Sequence, residues 1–470
     1  MGCLLVGESH GAQGLQRTSR QDSLFQARAL RGRLTVKPLL RSRLRRWGLF
    51  LLSITVTYLA ASRDWCALRR DARPTVQASI SAKGKLYAGA GRQELTPPFP
   101  IAAAGYGPFR PRAHGAQAPL FARALVLQVD ELRIGVVAVD LLTPPSPAMH
   151  EVHKAVQDLG LSELWVVATH THSSMGSYEP DALFQLSGVG PYREAARAAL
   201  VHAITGALQE AASSLVPAIL ETGEGEAPEL VSSRNQDEPQ VDARITRAVF
   251  RSAQKKIAEV TIFSAHPTLF PRTVEALSPD YPGHYSRLIE EAEGGVTLFW
   301  QGAVGNARSR LAQPDGPAVA HAVQFATRLA HVVRGIRLQS WESPGLSFIR
   351  MKVPLPAADT RRLVPGFLVG VGNNLLCWNA PAEAGVSLLA LGPLRLLSIP
   401  GEATFSAGRE LEEATHATRT VSLVNGYIGY MDSSEHVENA GGESRLQYFG
   451  PELLDTFIRA ATLTREESRQ

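Results

Sequence analysis

Two histidines, His170 and His172, stand where the apolar run Leu164–Ala168 stops, in the stretch Thr169-His170-Thr171-His172-Ser173. The run reads as a buried strand. Side chains alternate across a strand, so both imidazoles are expected on one face at its end. Neutral imidazole is a common Zn²⁺ ligand and a strand end opens onto loops, so the pair is a candidate start of a metal site. Two histidines that only hydrogen-bond at a strand terminus fit the same pattern. A second apolar strand runs into Ser264-Ala265-His266-Pro267-Thr268, where Pro267 biases His266 to extended geometry and would fix its ring. A third ends at Ser398-Ile399-Pro400-Gly401-Glu402, a carboxylate in a turn just before an expected helix through Ser406 and Leu411. Alone, Glu402 also fits a helix-start residue favoured by the helix dipole. Tyr427 and Tyr430 follow the apolar stretch Thr420–Val424, and alone they fit core packing.

Hydrophobic patterning gives the elements that must hold these residues. Strands are expected at Arg123–Val129, Arg133–Val139, Leu164–Ala168, Glu259–Phe263, Val296–Trp300, Val386–Leu391 and Leu394–Ile399. The first two form a hairpin closed by Asp130, Glu131 and Leu132. Tyr192–Ser213 reads as a helix started by Pro191, with Leu200, Ile204, Leu208 and Ala211 as its core stripe. Ala318–Ile336 is another, with Phe325, Leu329 and Val332 inward. His202, His321 and His331 sit within these helices as surface residues. Helices and strands alternate irregularly, so the fold class is α/β, a mixed β-sheet core flanked by helices in a single large domain. Three cysteines, Cys3, Cys66 and Cys377, with no CxxC spacing offer neither a disulfide framework nor a cysteine-rich zinc site.

Charge is concentrated at one end. Residues 1–46 carry ten Lys/Arg against Glu8 and Asp22, a surplus of eight, whereas the whole chain stands at +4 and the remainder therefore at −4. The basic balance belongs to the leader, and nucleic acid is not an expected partner. Residues 1–46 are read as a basic leader and residues 47–62 as an apolar signal or anchor segment, only about 24 Å long as a helix. Residues 63–85 read as a linker, with the main domain over 86–470. Export to the periplasm or the cell exterior is expected, with membrane anchoring through residues 47–62 as a possibility the segment offers. No G-x-S-x-G elbow is present, and the glycines of Gly366 to Gly372 lack the dinucleotide fingerprint.

In combination these segments resemble the neutral/alkaline non-lysosomal ceramidase family over roughly residues 86 to 465. The resemblance runs in order through Gly89-Ala90-Gly91-Arg92-Gln93-Glu94-Leu95-Thr96-Pro97, Gly105-Tyr106, Asp140, Thr169-His170-Thr171-His172-Ser173, Ala265-His266-Pro267-Thr268, Ser278-Pro279-Asp280-Tyr281-Pro282-Gly283, Pro400-Gly401-Glu402, Gly429-Tyr430-Met431 and Tyr448-Phe449-Gly450-Pro451. It implies a zinc-dependent amidase that cleaves the N-acyl bond of ceramide to a sphingoid base and a fatty acid. Carried over residue by residue, it implies His170, His266, Glu402 and Tyr430 as metal ligands. It implies His172 as the group that holds the oxyanion or shuttles a proton, Tyr430 as an assisting donor, and Arg234 as a site-lining arginine. Its implied partner is a ceramide-like lipid amide. A zinc amidase for another N-acyl lipid or N-acylated amine, and a non-catalytic lipid-binding relative, are the alternatives. Two departures stand out. The family's G-D-x-S-P is Gly305-Asn306-Ala307-Arg308-Ser309 here, and a family aromatic near the C-terminus is Gly442, expected to enlarge the pocket. The resemblance covers the catalytic domain and not the C-terminal immunoglobulin-like domain of longer relatives.

Overall fold

The computed structural model describes residues 37–63, 73–107 and 110–467. The chain divides into two compact units, Met1–Thr57 and Tyr58–Gln470. What is described of the first belongs to the helix Lys37–Ala61. The basic leader before Lys37, together with Cys3 and Cys66, lies outside the described residues. The segment read as a signal or anchor is therefore part of a longer helix that begins among arginines. Among the described residues no helix is long and apolar enough to cross a membrane.

The second unit is built on three five-stranded sheets, each mixed. The first pairs Glu163–Ala168 in parallel with Leu132–Val139, which continues antiparallel through Leu120–Val129 and Leu86–Leu95 to Val216–Pro217. In the second, Val296–Gln301 lies parallel to Lys256–Phe263, followed antiparallel by Arg244–Arg251, Ile219–Glu226 and Gln339–Trp341. The third runs antiparallel from Thr75–Ala82 through Leu346–Pro354 and Glu383–Leu391 to Leu394–Ser398, which pairs in parallel with Arg419–Val421. All seven expected strands are present, with ends extended or trimmed by a few residues. The hairpin is tighter than expected, since Val129 pairs with Leu132 and only Asp130 and Glu131 turn. Thr75–Ala82, expected within a linker, is instead an edge strand.

Each sheet has one face toward a shared core and one toward its own helices. Leu127, Trp165, Phe250, Trp300, Phe348 and Leu389 come from all three sheets and pack in one cluster. The Trp165 and Trp300 rings lie 6.1 Å apart within it. The outer face of the first sheet is covered by Glu194–Ser213, through Leu200, Ile204 and Leu208. Asp280–Glu293 and His321–Arg334 cover the second, through Tyr285, Ile289, Phe325 and Leu329. Phe405–Thr415 and Glu452–Glu467 cover the third, through Leu411, Leu453 and Phe457. Both faces being buried explains why the strands read as continuous apolar runs rather than alternating ones.

This layering sets where chemistry can sit. Every sheet contains one parallel pair, and crossover connections leave the carboxyl ends of parallel strands open to loops. The three carboxyl ends meet. Ala168 donates its N–H to Leu423 O, Ser422 to Gln301 O, and Asn425 to Val166 O.

Candidate active site

Each sheet delivers one group to that junction. The first supplies His170 and His172, the second His266, and the third Glu402, with Tyr430 brought alongside Glu402 by a short parallel pairing of Glu402–Ala403 with Tyr430–Met431. Glu402 Oε2 lies 3.2 Å from His170 Nε2 and 3.0 Å from His266 Nε2. The Tyr430 hydroxyl is 3.1 Å from His266 Nε2. His172 Nε2 is 3.4 Å from His170 Nε2. Ligating atoms of His170, His172 and His266 all fall within 4.8 Å of one another.

The route to this geometry differs from simple strand alternation. The strand stops at Ala168, and His170 has φ of 69°, a left-handed conformation that turns the chain before His172 follows. Each ring is then locked from behind. The Nδ1 of His170 donates to Leu142 O, that of His266 to Ala307 O and that of His172 to Gly105 O, each at 2.8 Å. A carbonyl only accepts, so each of these Nδ1 atoms carries a proton. Gly105 is required here: its φ is 115°, and a Cβ would lie 2.5 Å from the His172 Cα. Ser309 donates its hydroxyl to His266 O.

Burial disfavours the charged form of His266 and His172. Burial holds the His266 imidazole down at about 4 and the His172 imidazole well below its ordinary value, and the neighbouring imidazoles add to the effect. Burial opposes ionisation of Glu402, but the His170 and His266 rings beside it hold the carboxyl well below the usual range. Burial, reinforced by Glu402, pushes the Tyr430 hydroxyl well up, so it stays a donor. The Nε2 atoms of His170 and His172 face each other at 3.4 Å, and Glu402 Oε2 lies between those of His170 and His266. A divalent cation satisfies that set, and two or three imidazoles with one carboxylate match the donors zinc takes in catalytic sites.

Arg234 reaches the same place. Its guanidinium carbon stands 5.2 Å over the centre of the Tyr430 ring, and its Nε donates to Glu443 at 2.6 Å. Its Nη2 is buried without a hydrogen bond. Tyr427, which sequence patterning left as core packing, donates its hydroxyl to Glu402 Oε1 at 2.8 Å. Arg110 was not singled out by sequence at all. It donates to His172 O at 2.6 Å and to Ser173 Oγ at 3.2 Å, fixing that backbone.

A cavity of about 290 Å³ is lined by apolar groups that include Phe184, Leu363, Leu375, Leu376, Tyr427 and Tyr448. Tyr427 is shared between cavity wall and site. The helix Val369–Asn379 that forms the outer wall carries Cys377, which is disulfide-bonded. The expectation that cysteines contribute no disulfide is corrected by that bond.

Residues 87–306 match the model of the neutral/alkaline non-lysosomal ceramidase N-terminal region. Over that stretch, just under half of its length, this chain is similar to that family. A neutral ceramidase of Pseudomonas aeruginosa is 27% identical over 166 residues, covering 32% of this chain and 25% of that protein. A neutral ceramidase of Mycobacterium tuberculosis is 24% identical over 233 residues, covering 45% and 35%. The matched stretch thus spans a quarter to about a third of these relatives. The crystal structure of the Pseudomonas aeruginosa neutral ceramidase superposes with a TM-score of 0.70 at 20% identity, over 82% of this chain and 75% of that one. A ceramidase complexed with C2 gives 0.69 at 19% identity. The mixed α/β fold is that of these ceramidases.

Departures from the ceramidase pattern have local causes. Asn306 is buried and architectural: its Oδ1 accepts from Phe405 N at the start of a helix, and its Nδ2 donates to Glu238 O and Gln240 O. The Arg308 residue is exposed, and Ser309 is turned to the His266 carbonyl. Gly442 does not enlarge the pocket as expected. It has φ of 51°, and a Cβ there would meet Asp432 Oδ2 at 2.2 Å.

The segment after His172 carries one further buried acid. Glu179 has an unpartnered Oε1, and burial, reinforced by Asp181, pushes its carboxyl from 4.5 up to about 8. In the unfolded chain it ionises near its ordinary value, so the folded state binds the extra proton between these two values. Its contribution to stability is therefore full at acid pH and declines as pH rises through about 8. Calorimetry of Glu179→Gln against the parent is expected to show a gain in melting temperature at pH 8 that is absent or reversed near pH 4.5. An equal difference at both pH values contradicts the assignment.

Proposed function

We propose that this chain is a zinc-dependent amidase of N-acyl lipids, with ceramide as the substrate class, giving a sphingoid base and a fatty acid. The observation that carries the reading is the convergence of His170 and His266 on Glu402, with His172 against His170 and each of the three rings held from behind through Nδ1. His170, His266 and Glu402 would hold the metal, with Tyr430 as a further oxygen donor. Bound there, zinc supplies Lewis acidity toward an amide carbonyl and lowers the pKa of water at neutral pH.

The chain's own residues supply the rest. His172, neutral and hydrogen-bonded through Nδ1, presents Nε2 to take a proton from the attacking water and return it to the leaving amine. Tyr430, kept protonated by burial, donates toward the oxygen that becomes negative as the carbonyl is attacked. Arg234 places positive charge above the Tyr430 ring, and Glu443 fixes its guanidinium. Tyr427 holds Glu402 from the opposite oxygen. The apolar cavity beside Tyr427 suits a hydrocarbon chain and favours a lipid amide over a polar one. The disulfide at Cys377 supports an oxidising, exported setting.

The test is release of fatty acid from N-acylsphingosines of graded acyl length, with both products identified. Release of sphingosine and fatty acid supports the reading, and cleavage confined to amides without a sphingoid base overturns the ceramide assignment. Leu376→Trp, which fills the cavity, is expected to raise KM for long acyl chains about 10-fold while leaving short chains unaffected. An equal effect on both would remove the cavity from the binding path.

A further inference from the structure

A second set of metal-ligating side chains lies outside the site just described. Glu238, Asp432 and His436 bring one ligating atom each to within 4.8 Å of the others. They come from separate segments: the loop after the strand Val231–Ser233, the stretch just past Tyr430, and the helix Ser434–Glu438. None of them is a member of the motifs by which the family is recognised above.

Asp432 is fully buried and fully engaged. Its Oδ1 accepts from Thr404 Oγ1 at 3.1 Å, Ser433 N at 2.8 Å and His436 Nδ1 at 2.9 Å, and its Oδ2 accepts from Glu443 N at 2.7 Å. A carboxylate only accepts, so His436 carries a proton on Nδ1 and its Nε2 makes no part of that bond. This is the arrangement in which a carboxylate orients a histidine for a metal. Glu238 provides the independent sign of a missing partner. The residue is 6% exposed. Its Oε1 accepts from Ser406 N at 2.8 Å, yet its Oε2 is buried with no hydrogen bond at all. Leaving a buried carboxylate oxygen unmatched is costly.

We propose that Glu238, Asp432 and His436 bind a second divalent cation, with Asp432 bracing the imidazole. One imidazole nitrogen with carboxylate oxygens suits a first-row ion such as Zn²⁺. The half-buried side of His436 leaves room for water to complete the coordination. The cation joins the loop that begins at Arg234 to the segment that carries Glu443. It therefore stiffens the two walls whose ion pair sets Arg234 over Tyr430.

Metal counting on the full chain tests this without reference to turnover. After chelator treatment and equilibrium dialysis against Zn²⁺, the parent is expected to hold one equivalent more than His436→Ala. In a His170→Ala background, where the first site is disabled, zinc is expected to raise the melting temperature, and adding His436→Ala is expected to abolish that rise. Glu238→Gln keeps shape and hydrogen bonding to Ser406 N, and it too is expected to lose the equivalent. It serves as the second variant if His436→Ala fails to fold. Equal zinc content in the parent and in both folded variants, or no zinc-dependent stabilisation of His170→Ala, overturns the second site.

Discussion

Glu402→Gln is expected to lower amide hydrolysis by on the order of 10³-fold or more, about 4 kcal/mol of lost transition-state stabilisation. The charge is what the site needs from this residue. Glu402 is buried, its Oε2 lies between the His266 and His170 Nε2 atoms at 3.0 and 3.2 Å, and its Oε1 is engaged by Tyr427. A glutamine of the same shape replaces the anion with an amide that can donate to either imidazole. That hydrogen bond would occupy a nitrogen meant for a metal and remove the only carboxylate from the cluster. The check is kcat/KM together with zinc content of the purified variant. Retention of more than a tenth of parental activity would contradict Glu402 as a ligand.

The second large effect is expected at a residue that touches no substrate. Gln301 ends the strand Val296–Gln301 in the middle of the junction. Its Nε2 donates to Thr169 O at 3.0 Å, its Oε1 accepts from Ala265 N at 3.2 Å, and its backbone O accepts from Ser422 N. One side chain thus ties the segment before His170 to the segment before His266, while its backbone holds the third sheet. Gln301→Leu preserves volume but leaves a buried carbonyl and a buried N–H unpaired, at about 1–3 kcal/mol each. Stability is expected to fall by roughly 2–5 kcal/mol. At temperatures where the variant stays folded, kcat is expected to fall about 100-fold, since small displacements of catalytic groups are that costly. Denaturant midpoints and kcat report the two parts separately. Unchanged kcat in a destabilised variant would show that Gln301 holds the fold but not the histidines.

How much of this was legible in the sequence depends on which interaction fixed each residue. Buried strands announce themselves by continuous apolar runs, so Leu164–Ala168 and Leu394–Ser398 were readable to within a residue or two. Thr75–Ala82 was not, because an edge strand of Thr, Gln, Ser and Ala has the composition of a linker and is fixed only by pairing with Leu346–Pro354. His170 and His172 were readable as a pair, but for a different geometric reason: the left-handed turn at His170, not the strand period, aims the two rings. His266 and Glu402 were readable only as isolated strand ends, and their meeting depends on three sheets sharing one core. The role of Tyr427 was invisible, since nothing local separates it from Tyr430. The architectural role of Asn306 was invisible because its partner Phe405 is distant in sequence, and Gly442 was read as a pocket change because its close approach to Asp432 shows only in the fold.

The central claim is that hydrolysis of an N-acyl lipid depends on a metal held by His170, His266 and Glu402. The most direct measurement is fatty-acid release from N-acylsphingosine by chelator-treated chain during stepwise zinc restoration, with His170→Ala run in parallel. The account predicts no release without metal, recovery that tracks the zinc equivalent missing from His170→Ala, and no recovery in that variant. Full activity in the metal-free chain, or restoration of His170→Ala by stoichiometric zinc, would contradict it.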